Sequence, residues 1–219
     1  MYSWNALKDE INNIETTGFV LAISGGVDSM LLMDFFRRQC SYPFCVAHFD
    51  HHIRDDSDKD RELISDYCFK NSIPFFVGHG EGLKDIPNQE CVARNQRWSF
   101  LNKVAIDNVY KYIVTAHHLN DQIENVILRL LRGYPHSCLT MKKFMEVDGI
   151  IRYKPFLYVS KDDIIKSAKR MRISWNEDST NADVDYDRNW IRNEIIPMLM
   201  TRRNIISSME KGIKLTDLI

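Results

Sequence analysis

The sequence predicts an α/β protein built on a Rossmann-like parallel sheet of about five strands, flanked by helices and followed by a small helical C-terminal extension. Short apolar runs alternate with helical patterns four times over, which indicates crossover connections between parallel strands. The strand runs are apolar throughout, as expected when helices cover both faces of a sheet. The length of 219 residues suits one substantial domain with an appendage.

The first five elements are three strands and two helices. The run FVLAI (19–23) predicts a buried strand, and VDSMLLMDFFRRQ (27–39) carries the apolar stripe of a helix. The run PFCVAHF (43–49) predicts the second strand. The segment SDKDRELISDYCFKN (57–71) predicts a helix that begins with a serine suited to the N-cap. IPFFVGH (73–79) predicts the third strand.

The next elements continue the alternation of strands and helices. A long amphipathic helix is predicted over 88–108, a fourth strand over 110–116, and a helix over 119–133 that ends at a glycine. Residues 134–150 show no periodic pattern, so they are predicted to be irregular. The run IIRYKPFL (150–157) predicts a fifth extended segment.

The C-terminal part is predicted to be helical. The segment 160–172 begins with a serine N-cap, and 185–200 predicts a final helix that Pro197 kinks or interrupts. We therefore expect one domain over residues 1–200, with a C-terminal helix or tail over 201–219.

Composition excludes several classes of protein. The formal net charge is −1, but the second half of the chain has a modest basic bias, which permits a nucleic-acid partner without demanding one. The five cysteines are odd in number and none stands at CxxC spacing, which argues against a disulfide framework or a clustered metal site. The polar N-terminus does not resemble a signal peptide, and no apolar run approaches the roughly 20 residues of a membrane span. We expect a cytoplasmic protein with reduced thiols and no membrane partner.

The segment SGGVDS (24–29) lies where a parallel sheet binds its ligands, directly after a strand and at the start of a helix. Backbone N–H groups at a helix start favour an anion, and the two glycines allow a phosphate to approach closely. Ser24 and Ser29 add hydroxyl groups. The segment lacks the lysine of a Walker A loop. The simpler alternative is an ordinary strand-to-helix turn in which Asp28 caps the helix.

This segment resembles the SGGxDS signature of the PP-loop ATP pyrophosphatases, which release the pyrophosphate of ATP and adenylate a substrate oxygen. Further segments, in the same order along the chain, resemble those of the tRNA(Ile)-lysidine synthetases. They are HFDHHIR (48–54), NQECVARNQRW (88–98), TAHHLNDQIEN (115–125), KPFL (154–157), WNEDSTN (175–181) and YDRNWIR (186–192). Several ordered matches are much more specific than a single loop.

The resemblance implies a reaction and its cofactors. ATP, with Mg²⁺, would adenylate the C2 oxygen of the wobble cytidine in a tRNA(Ile) with a CAU anticodon. An amine of L-lysine would then displace AMP to form lysidine. The residues implied to bind ATP are Ser24, Gly25, Gly26, Val27, Asp28, Ser29 and His48. Asp28 would also face the Mg²⁺ that accompanies the triphosphate.

The resemblance also implies catalytic and substrate-binding residues. His117, Asp121 and Glu124 share one face of a helix start, where the two carboxylates suit the ammonium groups of lysine. With Asp28 and Arg94, a fixed cation near the phosphate, they form the implied catalytic set. Residues implied to contact tRNA are Arg54, Lys142, Lys143, Arg188, Asn189 and Arg192. The simpler alternatives are a solvated acidic helix start, a pair between Arg94 and Glu90, and a solvated basic face.

The chain departs from the family pattern in three places. Asn120 stands where the family has the first of two acids, residues 132–145 differ from the family's glycine-rich segment, and the family usually continues into further C-terminal domains. We therefore expect a short form, for which a homodimer is one route to additional tRNA contacts.

Three rival functions remain open at this point. The first is a tRNA cytidine thiolase of the same superfamily, which needs paired cysteines. The second is a DHH phosphoesterase, suggested by FDHH (49–52) but lacking an earlier pair of acidic metal ligands. The third is a module that senses ATP without turnover.

Overall fold

The centre of the fold is a six-stranded sheet in which five strands run parallel. In the computed structural model the strand order is β3-β2-β1-β4-β6-β5, and only β5 runs antiparallel to its neighbour. The strands are β1 (Phe19–Ala22), β2 (Phe44–Asp50), β3 (Phe75–His79), β4 (Tyr112–Thr115), β5 (Phe144–Val147) and β6 (Ile150–Tyr153). The structure describes residues 3–50, 57–82, 87–177, 187–202 and 204–216. The predicted parallel sheet with flanking helices is confirmed.

Helices follow most of the strands and form the crossover connections. They are α1 (Trp4–Asn12), α2 (Val27–Gln39), α3 (Ser57–Lys70), α4 (Gln89–Asp107), α5 (Leu119–Leu131), α6 (Lys161–Arg170), α7 (Asp187–Trp190), α8 (Ile196–Met200) and α9 (Ile205–Thr216). A short 3₁₀ turn (His136–Cys138) follows α5. Helix α1 has no counterpart among the sequence predictions.

The prediction that residues 134–150 are irregular is wrong for residues 144–147. These residues form strand β5, which pairs with β6 through a two-residue turn at Asp148 and Gly149. Both turn residues have positive φ, 53° and 76°, as a type I′ hairpin turn requires. The Asp-Gly pair between two apolar runs is the signal that identifies this hairpin.

The two faces of the sheet are covered by different helices. On one face Phe19 and Leu21 pack with apolar residues of α2, α3 and α6. On the other face Val20 and Ile113 pack with Leu101 and neighbouring residues of α4. Since side chains alternate along a strand, this division explains why the strands are apolar throughout.

The C-terminal part is helical over the residues that the structure describes. Helices α7 and α8 are joined by a π-helical segment, Ile191–Ile195, and Pro197 lies in the first turn of α8. Proline lacks the N–H group of a regular helix, so the predicted interruption appears as this local change in helix type. Ile206 and Met209 of α9 pack against a small core formed by α5 and Ile191.

The sheet contains a switch point between β1 and β4. Strand β1 is followed by β2 and β3 on one side, whereas β4 and β6 lie on the other. In open parallel sheets the crevice at such a reversal, beyond the carboxyl ends of the strands, is where ligands bind. Residues 24–29 and 116–121 follow these two strands. Over the described part of the chain, no helix is both long and apolar enough to cross a bilayer.

Candidate active site

The glycine loop after β1 is fastened by residues distant in sequence. Gly25 has a φ of +94°, and a side chain there would meet Asp60 Oδ1 at 2.6 Å. Asn176 donates its backbone N–H to the Gly25 carbonyl over 3.1 Å, and its side-chain amide donates to Asp60 over 2.9 Å. The close approach and the positive φ both require glycine. The segment 175–177 therefore acts as a support for this loop.

Among the described residues, no side chain caps the amino end of α2. Gly26 occupies the N-cap position with an extended backbone and no capping hydrogen bond. The Ser29 hydroxyl donates to the Gly26 carbonyl over 3.0 Å and accepts from the Ser24 N–H over 3.2 Å, which fixes the loop internally. Ser24 is exposed, whereas the Val27 side chain belongs to the core. The loop thus presents backbone N–H groups at the positive end of a helix, as an anion site does.

Asp28 forms an ion pair that sequence reasoning missed. The Nζ atom of Lys161 lies 2.7 Å from each carboxylate oxygen of Asp28, and both side chains are partly exposed. Lys161 begins α6, and its backbone N–H donates to Asn120 Oδ1 over 3.0 Å. The position at which the chain departs from the family pattern, Asn120, therefore anchors the counter-ion of Asp28.

His118 connects Asp28 with Asp121. Its Nε2 atom lies 3.6 Å from an oxygen of each carboxylate. His118 is also the N-cap of α5: its backbone N–H donates to Asp121 Oδ2 over 3.0 Å, and its ring accepts from the Asp121 N–H over 3.4 Å. This capping box fixes both side chains at the switch point.

The pKa of the Asp121 carboxyl lies below its ordinary value. Burial acts to raise this pKa, but the neighbouring His118 and His117 rings and the hydrogen bond from the His118 backbone lower it more. Asp121 is therefore ionised at neutral pH, and its side chain is only 17% exposed. A half-buried, ionised carboxylate at a crevice suits a ligand that carries an ammonium group.

His117 is a neutral histidine at the carboxyl end of β4. Its Nδ1 atom lies 2.8 Å from the Thr115 hydroxyl. Burial lowers the pKa of His117 to about 4; the charge of Asp121 opposes this shift, and the charges of Arg97 and Lys154 reinforce it. The ring therefore acts near neutral pH as a hydrogen-bonding group without charge.

Glu124 is buried and paired with two arginines from the C-terminal helical part. Arg192 donates Nε–H to one carboxylate oxygen over 2.7 Å and Nη2–H to the other over 2.9 Å. The Nε atom of Arg188 lies 3.3 Å from Glu124 Oε2, and Arg192 also lies 3.6 Å from Asp121 Oδ1. The fold thus brings together predicted lysine-binding acids and predicted tRNA-binding arginines.

His48 lies in β2, and its ring is held by the residue that directly follows β1. Its Nδ1–H donates to the Ile23 carbonyl over 2.9 Å, and burial lowers its pKa. The ring is therefore neutral, and its Nε2 atom is a buried acceptor without a hydrogen-bond partner in the structure as described. Such an acceptor close to the end of β1 suits a donor group of a bound ligand.

The remaining predicted residues have no hydrogen bond or ion pair to Asp28, Asp121 or Glu124 among the contacts described above. Arg94 is exposed and forms no ion pair within the described ranges, and this includes the pair with Glu90 that the sequence allowed. Lys142 is exposed, whereas the Lys143 ammonium lies 2.5 Å from Glu10 of α1. Asn189 is partly buried beside Arg188 in α7. The prediction for Arg54 lies outside the described residues.

Comparison with known proteins identifies the family. A family model described as the PP-loop domain matches residues 3–199, which is most of the chain. The chain therefore belongs to the PP-loop family. The predicted membership of the PP-loop family is confirmed.

Individual proteins are similar to most of this chain. The tRNA(Ile)-lysidine synthase of Pseudothermotoga lettingae is 33% identical over 187 residues, which cover 82% of this chain and 41% of that protein. The tRNA(Ile)-lysidine synthase of Aster yellows witches'-broom phytoplasma is 34% identical over 197 residues, covering 88% and 44%. The chain spans less than half the length of these relatives.

Among solved structures, the U34-tRNA thiolase NcsA from Methanococcus maripaludis, with its [4Fe-4S] cluster, superposes with a TM-score of 0.79. The superposition covers 99% of this chain and 79% of that chain at 14% sequence identity. At this identity the similarity shows that the fold is shared.

Proposed function

We propose that this chain is a tRNA-modifying ligase. It joins L-lysine to C2 of the wobble cytidine in a tRNA(Ile) with a CAU anticodon, and it converts ATP to AMP and pyrophosphate. The relatives named tRNA(Ile)-lysidine synthase support this proposal, as do the PP-loop match and the acids at the switch point. We propose a cytoplasmic location, as for other enzymes acting on tRNA.

One observation carries the proposal: a single histidine joins the acid of the glycine loop to the acid of α5. His118 Nε2 lies 3.6 Å from both Asp28 and Asp121. Phosphates held at the loop and an ammonium group held at Asp121 would therefore lie side by side. That arrangement suits attack of an amine on a phosphate-activated substrate, and a module that only senses ATP has no use for it.

Asp28 fits the role of a Mg²⁺ ligand. Mg²⁺ usually binds one or two carboxylates together with substrate phosphates, and Asp28 is a partly exposed carboxylate beside a phosphate-type loop. Mg²⁺ would neutralise phosphate charge there. Because Lys161 contacts both oxygens of Asp28, it must give up at least one contact, and its ammonium group is then available to the phosphates.

In the first step the C2 oxygen of cytidine attacks the α-phosphorus of ATP. A P–O bond to cytidine forms, the bond between the α-phosphorus and the bridging oxygen breaks, and pyrophosphate leaves. The N–H groups of the glycine loop hold the pyrophosphate, and Arg94 offsets charge on the α-phosphate. Neutral His117 forms a hydrogen bond to the base without adding charge.

In the second step an amine of lysine attacks C2. The C–N bond forms, the C2–O bond breaks, AMP leaves with that oxygen, and one proton passes from the amine to water through Asp121. Asp121 holds an ammonium group of lysine. Glu124 keeps Arg192 beside this site, and it contacts lysine directly when Arg192 moves aside.

The thiolase fold neighbour suggests a second candidate, but the cysteines do not favour it. Burial raises the pKa of Cys45 and of Cys68 to about 12, and it also raises the pKa of Cys40. Buried thiols of this kind are poor nucleophiles and poor metal ligands. Cys91 and Cys138 are exposed but widely separated in the sequence.

Transfer of labelled AMP tests the proposal. The protein is mixed with α-labelled ATP, Mg²⁺ and an unmodified CAU-anticodon tRNA(Ile) transcript, without lysine. We expect label to join the RNA, and to leave it as AMP when lysine is added. Asp28→Ala should abolish labelling, and Asp121→Ala should allow labelling but raise the lysine concentration needed for release. Absence of labelling by folded wild-type protein would contradict the proposal.

A further inference from the structure

Four basic side chains gather on the α4 side of the sheet, beyond the glycine loop. We call Arg94, Arg97, Arg152 and Lys154 the cation cluster. Arg94 and Arg97 stand about one turn apart on α4, so they share a helix face. Arg152 lies in β6, and Lys154 directly follows the last residue of that strand. Arg152 pairs in register with Ile113, a core residue on the α4 side.

Trp98 organises the cluster. The guanidinium carbon of Arg152 lies 3.8 Å from the centre of the Trp98 ring, and that of Arg97 lies 5.5 Å from it. Stacking of this kind holds a guanidinium in one orientation and leaves its N–H groups available. Lys154 is only 8% exposed, and its Nζ atom donates to the Lys142 carbonyl over 3.0 Å.

Among the described residues, no carboxylate lies within ion-pair distance of the cluster. None of its four members forms an ion pair with any residue in the described parts of the chain. The Nε–H of Arg97 and the Nε1–H of Trp98 are buried donors without a partner among those residues. Burying a cation without a counter-charge destabilises a fold by several kcal/mol. The unpaired cations of the cluster therefore lower the stability of the protein unless an anion binds them.

The charges also act on one another. Burial lowers the pKa of Lys154 to about 8, with further contributions from Arg152 and Arg94. Burial and the same two arginine neighbours lower the pKa of Arg97. Asp148 raises the pKa of Arg152, but burial and Arg94 lower it more. An anion bound within the cluster would relieve all of these interactions at once.

We propose that the cation cluster binds a phosphate group at a site distinct from the glycine loop. The cluster lies on α4 and at the end of β6, whereas the glycine loop follows β1 and leads into α2. Two chemical sources fit a phosphate oxyanion here, a phosphodiester of an RNA substrate and the α-phosphate of a nucleotide. The phosphate site is inferred from the cluster itself, and the proposed function is used only to choose RNA and ATP as the probes.

The test uses Lys154→Met, which removes the charge and keeps a similar length. Lys103→Met is the matched control, because Lys103 lies on α4 but is 74% exposed and paired with Asp107. Each protein is titrated with a labelled CAU-anticodon stem-loop RNA at several salt concentrations, and separately with ATP and Mg²⁺ by calorimetry. No lysine is present, so these titrations measure binding alone. If the wild-type protein binds both ligands but fails to transfer lysine in a separate assay, that failure contradicts the proposed function and leaves the phosphate site standing.

A phosphate contact predicts a loss of about tenfold to a hundredfold in affinity for one ligand. If the phosphate belongs to RNA, Lys154→Met weakens stem-loop binding and reduces the salt slope by about one, while ATP binding is unchanged. If it belongs to the nucleotide, ATP binding weakens instead. The proposal is overturned if both ligands bind Lys154→Met as they bind Lys103→Met. If Lys154→Met does not fold, the same titrations are carried out with Arg152→Gln, and the same results support or overturn the proposal.

Discussion

The ion pair between Lys161 and Asp28 predicts that Lys161 competes with Mg²⁺. In the free protein the ammonium group contacts both oxygens of the carboxylate at 2.7 Å. A Mg²⁺ ion that binds Asp28 must displace at least one of these contacts. Replacing Lys161 with methionine should therefore raise the affinity of the nucleotide-free protein for Mg²⁺, although it removes a polar group from the site.

The size of the effect follows from the geometry. Two unit charges about 3 Å apart attract by about 5 kcal/mol at an effective dielectric constant of about 20. The side chains are 34% and 26% exposed, so solvent screening and the lost freedom of the lysine offset most of this. A net contribution of about 1–2 kcal/mol remains, which corresponds to about tenfold in affinity.

The assay is a titration with Mn²⁺, followed by electron paramagnetic resonance and competed with Mg²⁺, in the absence of nucleotide. Lys161→Met should bind the ions about tenfold more tightly than wild type and should bind ATP more weakly, because a cation available to the phosphates is lost. Lys166→Met, an exposed position on α6, is the control and should match wild type. Unchanged or weaker ion binding by Lys161→Met would refute the reasoning.

Three further predictions concern the supports of the site. Gly25→Ala should lower the free energy of unfolding by about 1–3 kcal/mol and weaken ATP binding, because φ is +94° and Asp60 blocks a side chain. Gly212→Ala, with open space around it, should leave the free energy of unfolding in urea unchanged or raise it. Glu124→Ala should lower the free energy of unfolding by about 3–5 kcal/mol, because it leaves Arg192 and Arg188 without their buried partner. Glu194→Ala, at an exposed position, should change the free energy of unfolding by less than about 0.5 kcal/mol. The folded-state pKa of His117 is about 4, below the ordinary 6.5, so the unfolded chain binds more protons between these values. Stability should therefore fall as pH drops from about 6.5 to about 4, and His117→Gln should reduce this fall in urea midpoints measured across the range; an unchanged pH dependence would contradict the assignment.

Local patterns predicted the sheet and the glycine loop well. Strands β1 to β4 are short apolar runs followed by helical patterns, so period and composition identified them. The hairpin of β5 and β6 was missed because β5 is brief and mostly exposed, although Asp148 and Gly149 carry its turn signal. Helix α1 was missed although Ser3 caps it.

The partners of the site residues could not be predicted from local patterns. Asp28 and Lys161 are 133 residues apart, and Glu124 and Arg192 are 68 apart, so their contacts depend on how the crossover helices pack. Helical spacing placed Asp121 and Glu124 on one face, but it could not reveal that two arginines would form ion pairs with Glu124. The stacking of Arg152 on Trp98 likewise joins a strand to a helix that the sequence separates.

The central claim is that lysine becomes attached to the wobble cytidine. An unmodified tRNA(Ile) transcript with a CAU anticodon is incubated with the protein, ATP, Mg²⁺ and lysine, digested to nucleosides, and analysed by mass spectrometry. We predict that the wobble cytidine is replaced by lysidine, that omission of ATP or lysine prevents the change, and that Asp28→Ala abolishes it. An unmodified wobble cytidine after incubation with folded wild-type protein would contradict the account.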